Sequence, residues 1–296
     1  MSSEKHTAAS AETLAIVGVG LIGGSVALAA RKRGMVRRVI GLGRNPARLE
    51  QARSRGIIDE GVTDYALLGD ADLVIVCSPV DRIVQDVLAV AAATPKETLI
   101  SDVGSVKGAI CEQLATQLPA RFIGSHPLAG SEKGGFENAQ ADLFEGRVGI
   151  VTPTAETPPH LVERMTRFWQ SLGMRTLLQA PQEHDRVLAI TSHVPHVAAA
   201  AVAAMLSDEA AQFASSGFRD TTRIAAGDPE LWAAILSQNA PAVQRALATL
   251  MQQLDRFSDV LANGDLAQLQ QLLLEGQMRR EVFEATFGGA AGKSTS

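Results

Sequence analysis

The sequence predicts an α/β protein in which a doubly wound parallel sheet is followed by an all-α domain. Three observations lead to this prediction. Short apolar runs alternate with helix-like segments through the first 180 residues, the first run opens directly into a glycine-rich turn, and no convincing strand follows residue 182. Strands that alternate with helices are typical of a parallel sheet covered by helices on both faces. Runs that are apolar throughout suit strands buried on both sides.

Seven runs are predicted as strands of this sheet because each is short and apolar. They cover residues 14–17, 38–42, 73–77, 98–102, 121–124, 148–152 and 175–178. Helix-like segments separate most of them, including one over residues 161–172. The alternation therefore accounts for the first part of the chain.

The second part of the chain is rich in Ala, Leu and Gln and has helical periodicity. Asp228 and Pro229 supply an N-cap and a first-turn proline for one helix, and Gly264 and Asp265 play a similar part before the last. The predicted helices cover residues 187–206, 230–237, 241–261 and 266–287.

The change in character places a domain boundary near Ala180. The apolar residues of the helical part exceed what one small bundle would bury. We therefore expect a homodimer that forms through the helical domain. The predicted divisions are a disordered tail at 1–12, the sheet domain at 13–180, the helical domain at 181–288 and a disordered tail at 289–296.

Composition limits the classes of function. The chain has 296 residues, 46% of them hydrophobic, and a formal net charge of −5, so it offers no basic surface to nucleic acid or an anionic membrane. Its two cysteines, Cys77 and Cys111, lie in apolar or helical contexts, so we expect no disulfide and a reducing compartment. We find no signal peptide, and no run approaches the ~18 apolar residues of a membrane span. These features predict a cytoplasmic protein.

The turn after the first strand has the spacing of a dinucleotide-binding site. The stretch VGVGLIGGS places Gly18, Gly20 and Gly23 between a strand and a helix, with Leu21 and Ile22 at the start of the helix. Gly18 permits the tight turn, Gly20 lets the backbone approach a pyrophosphate, and Gly23 lets the helix pack on the strand. The N–H groups of the helix N-terminus then face the phosphates. The sheet domain is therefore predicted to be of the Rossmann type.

The ends of the next strands bear on the choice of cofactor. NAD enzymes use an acidic residue about 20 positions after the glycines, but Arg44 and Asn45 occupy that place here. Arg44 could hold the 2′-phosphate of NADP or be a solvated surface arginine. We lean slightly to NADP and leave NAD open. Ser78 and Pro79 end the next strand and are predicted to line the cofactor near its diphosphate.

Counting residues excludes two common proton acceptors of dehydrogenases. Tyr65 is the only tyrosine and has no lysine four residues later, so a Tyr–Lys pair is absent. No lysine lies between Lys133 and Lys293, so the helical domain has none to offer. Histidine is the natural candidate near neutral pH.

Four histidines deserve weighing for this role. His126, in GSHPLAGSEKGG, follows a strand and precedes a glycine-rich loop that would hold its imidazole in a fixed place. His193 and His196 share a helix face with Pro195 between them, which bends or delays the helix. No further ligand at a fitting spacing accompanies them, so no metal is predicted. Buried structural roles remain open for His184 and His193.

The chain carries six motifs in order, VGVGLIGGS, SDVGSVKGAI, GSHPLAGSEKGG, LFEG…VTPT, HDRVLAITSHVPH and SSGFRDTTRIAAGDPELW. Together they resemble the prephenate/arogenate dehydrogenase family of tyrosine biosynthesis. The resemblance extends from about residue 14 to about residue 239. The last two motifs are long and far more specific than the glycine triplet.

The resemblance implies oxidation of a cyclohexadienol with loss of carbon dioxide. A hydride passes from the ring carbon that bears the hydroxyl to the nicotinamide, and the ring becomes aromatic. Prephenate gives 4-hydroxyphenylpyruvate, and arogenate gives tyrosine. By resemblance, His126 accepts the hydroxyl's hydrogen bond and Ser105 orients that histidine; Ser105 could also be an N-cap.

The resemblance also implies a substrate pocket that binds carboxylates. Arg223 matches the family arginine that grips a carboxylate, and Arg219 is a weaker candidate that could instead form a surface ion pair with Asp220. Trp232 would approach the partner subunit's pocket or simply pack in the core. The remaining implied pocket residues are His196, His193 and Ser131.

Two other readings of the sequence stay open at this point. One is a catalytically idle dinucleotide sensor, which the joint presence of His126, Ser105 and Arg223 disfavours. The other is a hydroxyacid or imine reductase of the same fold, since fold alone does not determine function. The residues leave open whether the substrate is prephenate or arogenate.

Overall fold

The computed structural model describes residues 11–130 and 133–291, which divide into two compact units, the first ending at residue 240 and the second beginning at residue 241. Ser131 and most of the two predicted tails lie outside the described residues. Residues 11 and 12, assigned above to the first tail, belong instead to the first strand.

An eight-stranded sheet organises the first unit. Its strands are β1 (Ala11–Val17), β2 (Val36–Leu42), β3 (Glu60–Val62), β4 (Leu73–Val76), β5 (Leu99–Asp102), β6 (Phe122–Pro127), β7 (Val148–Thr152) and β8 (Arg175–Leu178). They are arranged in the order β3-β2-β1-β4-β5-β6-β7-β8. β1 to β6 are parallel, and the order reverses between β1 and β4, as in Rossmann-type sheets.

Helices cover both faces of the sheet, so the strands are buried on both sides. α1 packs closely because Gly, Ser and Ala residues dominate its buried positions. Five helices lie between the strands, namely α1 (Leu21–Lys32), α2 (Pro46–Ser54), α3 (Ile83–Ala93), α4 (Gly108–Ala115) and α5 (Pro159–Ser171).

After β8 the first unit continues as helices. α6 (Pro181–Leu188), a π-helical turn (Ala189–His193) and α7 (Val194–Ala204) form one continuous helix. The π turn comes just before Pro195, whose ring would otherwise clash with the preceding turn and which has no N–H to donate. Three shorter helices follow, α8 (Asp208–Ala211), α9 (Ser216–Thr222) and α10 (Pro229–Gln238).

The continuous helix over Pro181–Ala204 is long and apolar enough to cross a membrane by length and composition alone. This differs from the expectation that no run of the chain approaches the length of a membrane span. In the structure the helix carries four buried polar side chains, His184, Asp185, His193 and His196. Three of them form hydrogen bonds within the first unit, so this side of the helix is part of its packed interior.

The second unit consists of α11 (Ala240–Asn263) and α12 (Leu266–Ala291). Gly264 turns the chain with a positive φ of 66°, and the Asp265 side chain accepts from the N–H of Gln268. Arg256 and Glu275 form an ion pair between the two helices. Exposed apolar side chains line both helices, at Met251, Leu254, Leu261, Leu266, Leu273, Leu274, Met278, Val282 and Phe283.

The predicted fold class is confirmed, and all seven predicted strands are present. Three features differ from the expectation. β3 was not predicted, because its three residues, Glu-Gly-Val, contain no apolar run. β7 runs antiparallel to β6, so the last two strands reverse the direction of the sheet. The first compact unit also extends beyond the boundary placed at Ala180, since α6, α7 and α10 belong to it.

Candidate active site

The turn between β1 and α1 has the backbone that the three glycines suggested. Gly18 has a φ of 89°, and a Cβ there would lie 2.8 Å from the carbonyl oxygen of Cys77. A Cβ on Gly23 would lie 2.4 Å from the oxygen of Gly18 and 2.7 Å from Ile16 Cγ2. A Cβ on Gly20 would meet nothing within 4 Å. Two of the glycines are therefore required by packing, and the third leaves open space.

This open space suits the pyrophosphate of a dinucleotide. Among the described residues no side chain caps the N-terminus of α1, so the N–H groups of its first turn, which begins with Leu21 and Ile22, are placed to bind an anion. Ser78 Oγ is buried and has no hydrogen-bond partner within residues 11–130 and 133–291. Pro79 next to it is exposed. The residues present therefore fit a nicotinamide dinucleotide.

Arg44 is exposed just beyond the end of β2. Its neighbour Asn45 caps α2, since the Asn45 side chain accepts from the N–H groups of Ala47 and Arg48 at 3.0 and 3.2 Å. Asn45 is thus occupied by the helix, and Arg44 is the polar side chain of this pair that remains for the ribose end of a cofactor.

His126 lies half-buried near the carboxyl end of β6 and is hydrogen-bonded to a second histidine. Its Nδ1 is 2.9 Å from Nε2 of His184. The other ring nitrogen of His184 lies 2.8 Å from a carboxylate oxygen of Asp185. β6 and α6 together therefore build a continuous chain from Asp185 through His184 to His126.

The carboxylate of Asp185 is held by the backbone before and at the start of α4. It accepts from the N–H groups of Lys107 and Gly108, each at 2.8 Å. This carboxylate therefore caps α4, and the positive end of the helix stabilises its charge. Beneath it lies a fully buried ion pair between Lys107 and Asp102. Backbone N–H groups therefore hold the Asp185 end of the hydrogen-bonded chain in place.

The pKa values of His126, His184 and His193 are all lowered. Burial is the largest cause for each, because it penalises the charged imidazolium. The pKa of His126 lies well below its ordinary value of 6.5, with His184 and Lys107 adding to the effect. The pKa of His193 is lowered to about 4. His126 is therefore neutral, and able to accept a proton, at neutral pH.

Asn239 and Trp232 join the remaining histidines to the same cluster. The Asn239 side-chain amide donates to the carbonyl of Asp185 at 2.9 Å and lies 3.0 Å from His193 Nδ1. Trp232 stacks on His196 with ring centroids 3.6 Å apart and meets His193 edge-on at 6.3 Å. His196 Nδ1 is buried and has no hydrogen-bond partner among the described residues. Trp232 is half-buried, so its indole packs against both histidines and is partly exposed.

The other predicted residues are placed as follows. Ser105 is half-buried between β5 and α4, and within the described chain His184, not Ser105, is the hydrogen-bond partner of His126. The cap of α4 is likewise supplied by Asp185. Arg223 begins a 3₁₀ turn (Arg223–Ala226) that packs on α7, the helix of His196. Arg219 is exposed and forms an ion pair with Asp220.

Sequence reasoning missed the parts played by Asp185 and Asn239 and left His184 open to a purely structural role. The sequence offered one signal, the adjacent His184 and Asp185 in HDRVLAITSHVPH. Nothing local in the sequence relates this pair to His126, which lies 58 residues earlier. Within the part of the chain that the structure describes, no group of three or more His, Cys, Asp or Glu side chains could hold a metal ion.

Comparison with known proteins assigns both parts of the chain to one family. The family model for "Prephenate dehydrogenase, nucleotide-binding domain" matches residues 26–178, and that for "Prephenate dehydrogenase, dimerization domain" matches residues 180–275. The cyclohexadienyl dehydrogenase of Zymomonas mobilis is 34% identical over 276 residues, which cover 90% of this chain and 94% of that protein. The prephenate dehydrogenase of Bacillus subtilis is 32% identical over 87% of this chain and 72% of its own length.

Solved structures agree with this assignment. The prephenate dehydrogenase of Aquifex aeolicus, in complex with hydroxyphenyl propionate and NAD⁺, superposes with a TM-score of 0.88 at 32% identity and covers 92% of this chain and 98% of its own. The arogenate dehydrogenase of Synechocystis has a TM-score of 0.82 at 32% identity, covering 92% and 99%. The resemblance inferred from the motifs is confirmed, and the chain belongs to the prephenate dehydrogenase family of oxidoreductases.

Proposed function

We propose that this chain oxidatively decarboxylates prephenate to 4-hydroxyphenylpyruvate, arogenate to tyrosine, or both, with His126 as the acceptor of the ring hydroxyl proton. The observation that carries the proposal is a neutral, half-buried imidazole at the carboxyl end of a strand, in the sheet that also bears the glycine turn. Ligands of such sheets bind beyond the carboxyl ends of the strands. The printed names of the relatives fit these substrates.

The chemistry requires a proton acceptor at one oxygen. The nicotinamide, when bound, supplies the hydride acceptor. As the hydride leaves the ring carbon, the hydroxyl proton passes to His126 and the C–O bond becomes a carbonyl. The bond to the ring carboxylate then breaks, carbon dioxide leaves, and the electron pair of that bond makes the ring aromatic as a phenolate. The phenolate oxygen takes back the proton held by His126, which gives the phenol. Without a base, positive charge would build up on the oxidised carbon, so the imidazole contributes as a general base.

Cofactor and substrate contacts follow from the same arrangement. Gly20 and the first turn of α1 would hold the diphosphate, and Ser78 would supply its unused hydroxyl. Arg44 would meet a 2′-phosphate if the cofactor is NADP, and the choice between NAD and NADP stays open.

The substrate's two carboxylates need cations and polar groups near His126. Arg223 would grip one of them with its planar guanidinium, because its turn packs on the helix of His196. His196 is the stronger of the two further histidines, since its Nδ1 is unpartnered among the described residues while His193 Nδ1 faces Asn239. Arg219 is the weaker arginine, because it is exposed and pairs with Asp220. Ser131 stays a proposed residue of the substrate pocket, and the orienting role expected of Ser105 is proposed for His184 instead.

The protein would act as a cytoplasmic homodimer. The match to a dimerization domain and the exposed apolar side chains along α11 and α12 support self-association. Exposed apolar surface of this kind is typical of interfaces rather than of monomers.

Replacing His126 tests the proposal most directly. We expect H126N to bind NAD or NADP nearly as the wild type does, while kcat falls by about a hundredfold to ten-thousandfold, because asparagine cannot accept the proton. Calorimetry measures cofactor binding, and absorbance of the reduced nicotinamide measures turnover of prephenate and arogenate with each cofactor. The exposed His160 provides the matched control, H160N, with unchanged kinetics. Equal loss of binding and turnover in H126N would contradict the role, and no turnover in any wild-type combination would contradict the function.

A further inference from the structure

The chain Asp185–His184–His126 contains two histidines whose proton positions are linked. Asp185 accepts two backbone N–H bonds, and the N-terminus of α4 stabilises its negative charge. Because a carboxylate only accepts, His184 Nδ1, at 2.8 Å, must carry a proton. The proton position at the Asp185 end of this hydrogen-bonded chain is therefore determined by the backbone before and at the start of α4.

The state of His184 then determines the state of His126. When His184 is neutral, its Nε2 has a lone pair, so the hydrogen at the 2.9 Å contact must come from His126 Nδ1. A neutral His126 with a proton on Nδ1 has a lone pair on Nε2. When His184 is charged, its Nε2–H donates instead, and a neutral His126 carries its proton on Nε2. Only the first arrangement leaves an acceptor on the nitrogen not used by His184.

We propose that His184 and Asp185 are positioning residues that hold His126 in the tautomer with Nε2 unprotonated, the form that can accept the substrate's hydroxyl proton. The inference rests on the proposed function for the identity of the proton donor. After the transfer, His126 carries protons on both nitrogens, and its Nδ1–H donates towards His184 and Asp185. The carboxylate thus stabilises the imidazolium without becoming protonated itself, as in hydrolase triads with one additional histidine.

The surroundings of His184 keep it neutral, as the proposal requires. His184 is fully buried, and burial is the main cause that lowers its pKa. Lys107 before α4 adds to the lowering, while Asp185 on its own helix and Asp102 on β5 oppose it. His126 on β6 and His193 in the π turn are further titratable groups near it, and each is affected by His184.

Two substitutions at position 184 separate tautomer control from packing. In H184L the acceptor for His126 Nδ1 is lost, so both tautomers become populated and the imidazolium formed after proton transfer loses its partner. We therefore expect kcat to fall about a hundredfold while KM changes little. In H184Q the amide oxygen can replace Nε2 as the acceptor, so we expect kcat within about tenfold of wild type. The exposed-histidine variant H160L provides the control, with wild-type kinetics. Equal losses in H184L and H184Q would overturn the inference.

A spectroscopic measurement tests the tautomer without any substrate. Two-bond ¹H–¹⁵N correlation spectra of histidine-labelled protein distinguish protonated from unprotonated ring nitrogens, and the spectrum of H126N assigns the His126 signals. At neutral pH we expect wild-type His126 to be protonated on Nδ1, H184Q to retain that state and H184L to lose it. A proton on Nε2 in the wild type overturns the inference even if H184L does not fold. Absence of turnover would instead defeat the proposed function and leave this measurement intact.

Discussion

Two regions of the first unit are built in opposite ways. One is the glycine turn after β1, and the other is the histidine chain, the hydrogen-bonded series of His126, His184 and Asp185 that starts near the carboxyl end of β6. The turn consists of residues 18–23, and its geometry depends on one positive φ and on two sites with no room for a side chain. The histidine chain joins residues 58 positions apart, and its acid is anchored 77 and 78 positions away, at the start of α4. One region is local in sequence, and the other exists only after the sheet has formed.

The two regions therefore differ in which property a substitution changes. Backbone geometry within a few residues sets the turn, so single substitutions there act on packing or on the cofactor space. The histidine chain depends on charge and proton placement between separate elements, so its substitutions act through pKa and tautomers. The following predictions test this distinction, from the largest expected effect to the smallest.

Gly20 and Gly23 should respond differently to substitution by alanine. We expect G23A to lower the free energy of unfolding by about 3 kcal/mol, because its Cβ would overlap a backbone oxygen and the core residue Ile16. G20A should leave stability within about 0.5 kcal/mol, because its Cβ meets no protein atom, yet weaken cofactor binding at least about tenfold. Urea unfolding and calorimetric titration measure the two quantities. Equal destabilisation by both variants would show that the turn is not divided in this way.

Arg44 tests whether the end of β2 selects the cofactor. If its guanidinium meets a 2′-phosphate, R44D should shift the ratio of kcat/KM for NADP over NAD by about tenfold towards NAD, equivalent to about 1.4 kcal/mol. The comparison needs both cofactors at saturating substrate, and R37D supplies a control at another exposed arginine, which has no proposed role at the site. An unchanged ratio would remove Arg44 from cofactor recognition.

Acid should destabilise the protein through its buried histidines. His193 has a pKa of about 4 in the folded chain against an ordinary value of 6.5, so on acidification the unfolded chain takes up its proton first. Well above pH 6.5 this residue contributes little pH dependence, and as pH falls through 6.5 towards about 4 the free energy of unfolding declines. His193 alone should account for about 1 kcal/mol over the first pH unit below 6.5.

Denaturant unfolding of wild type and H193N across this range measures that share. The decline in H193N should be shallower by about 1 kcal/mol over the same pH unit. Parallel curves would mean that His193 is charged in the folded protein or titrates equally in both states.

Several parts of the fold and site could be read from the sequence because their signals are local. Apolar runs located seven strands, the glycine spacing located the cofactor turn, and the Asp228–Pro229 pair located the start of α10, where Asp228 indeed accepts from the N–H of Glu230. β3 escaped because strand pairing, not composition, holds Glu-Gly-Val in the sheet. The antiparallel direction of β7 was not predicted because an apolar run does not show which way its strand runs in the sheet.

The sequence by itself determined the α/β class, the glycine turn and the family, and it singled out His126 as the proposed proton acceptor, because each depends on residue order over a short distance or on motifs within one segment. Only the tertiary structure decided that His184 contacts His126, that Asp185 caps a helix from another part of the chain, and that Asn239 reaches His193. The physical reason is that hydrogen bonds between side chains depend on positions in space, and those positions arise only when the carboxyl ends of the strands and the helix over Pro181–Ala204 pack together.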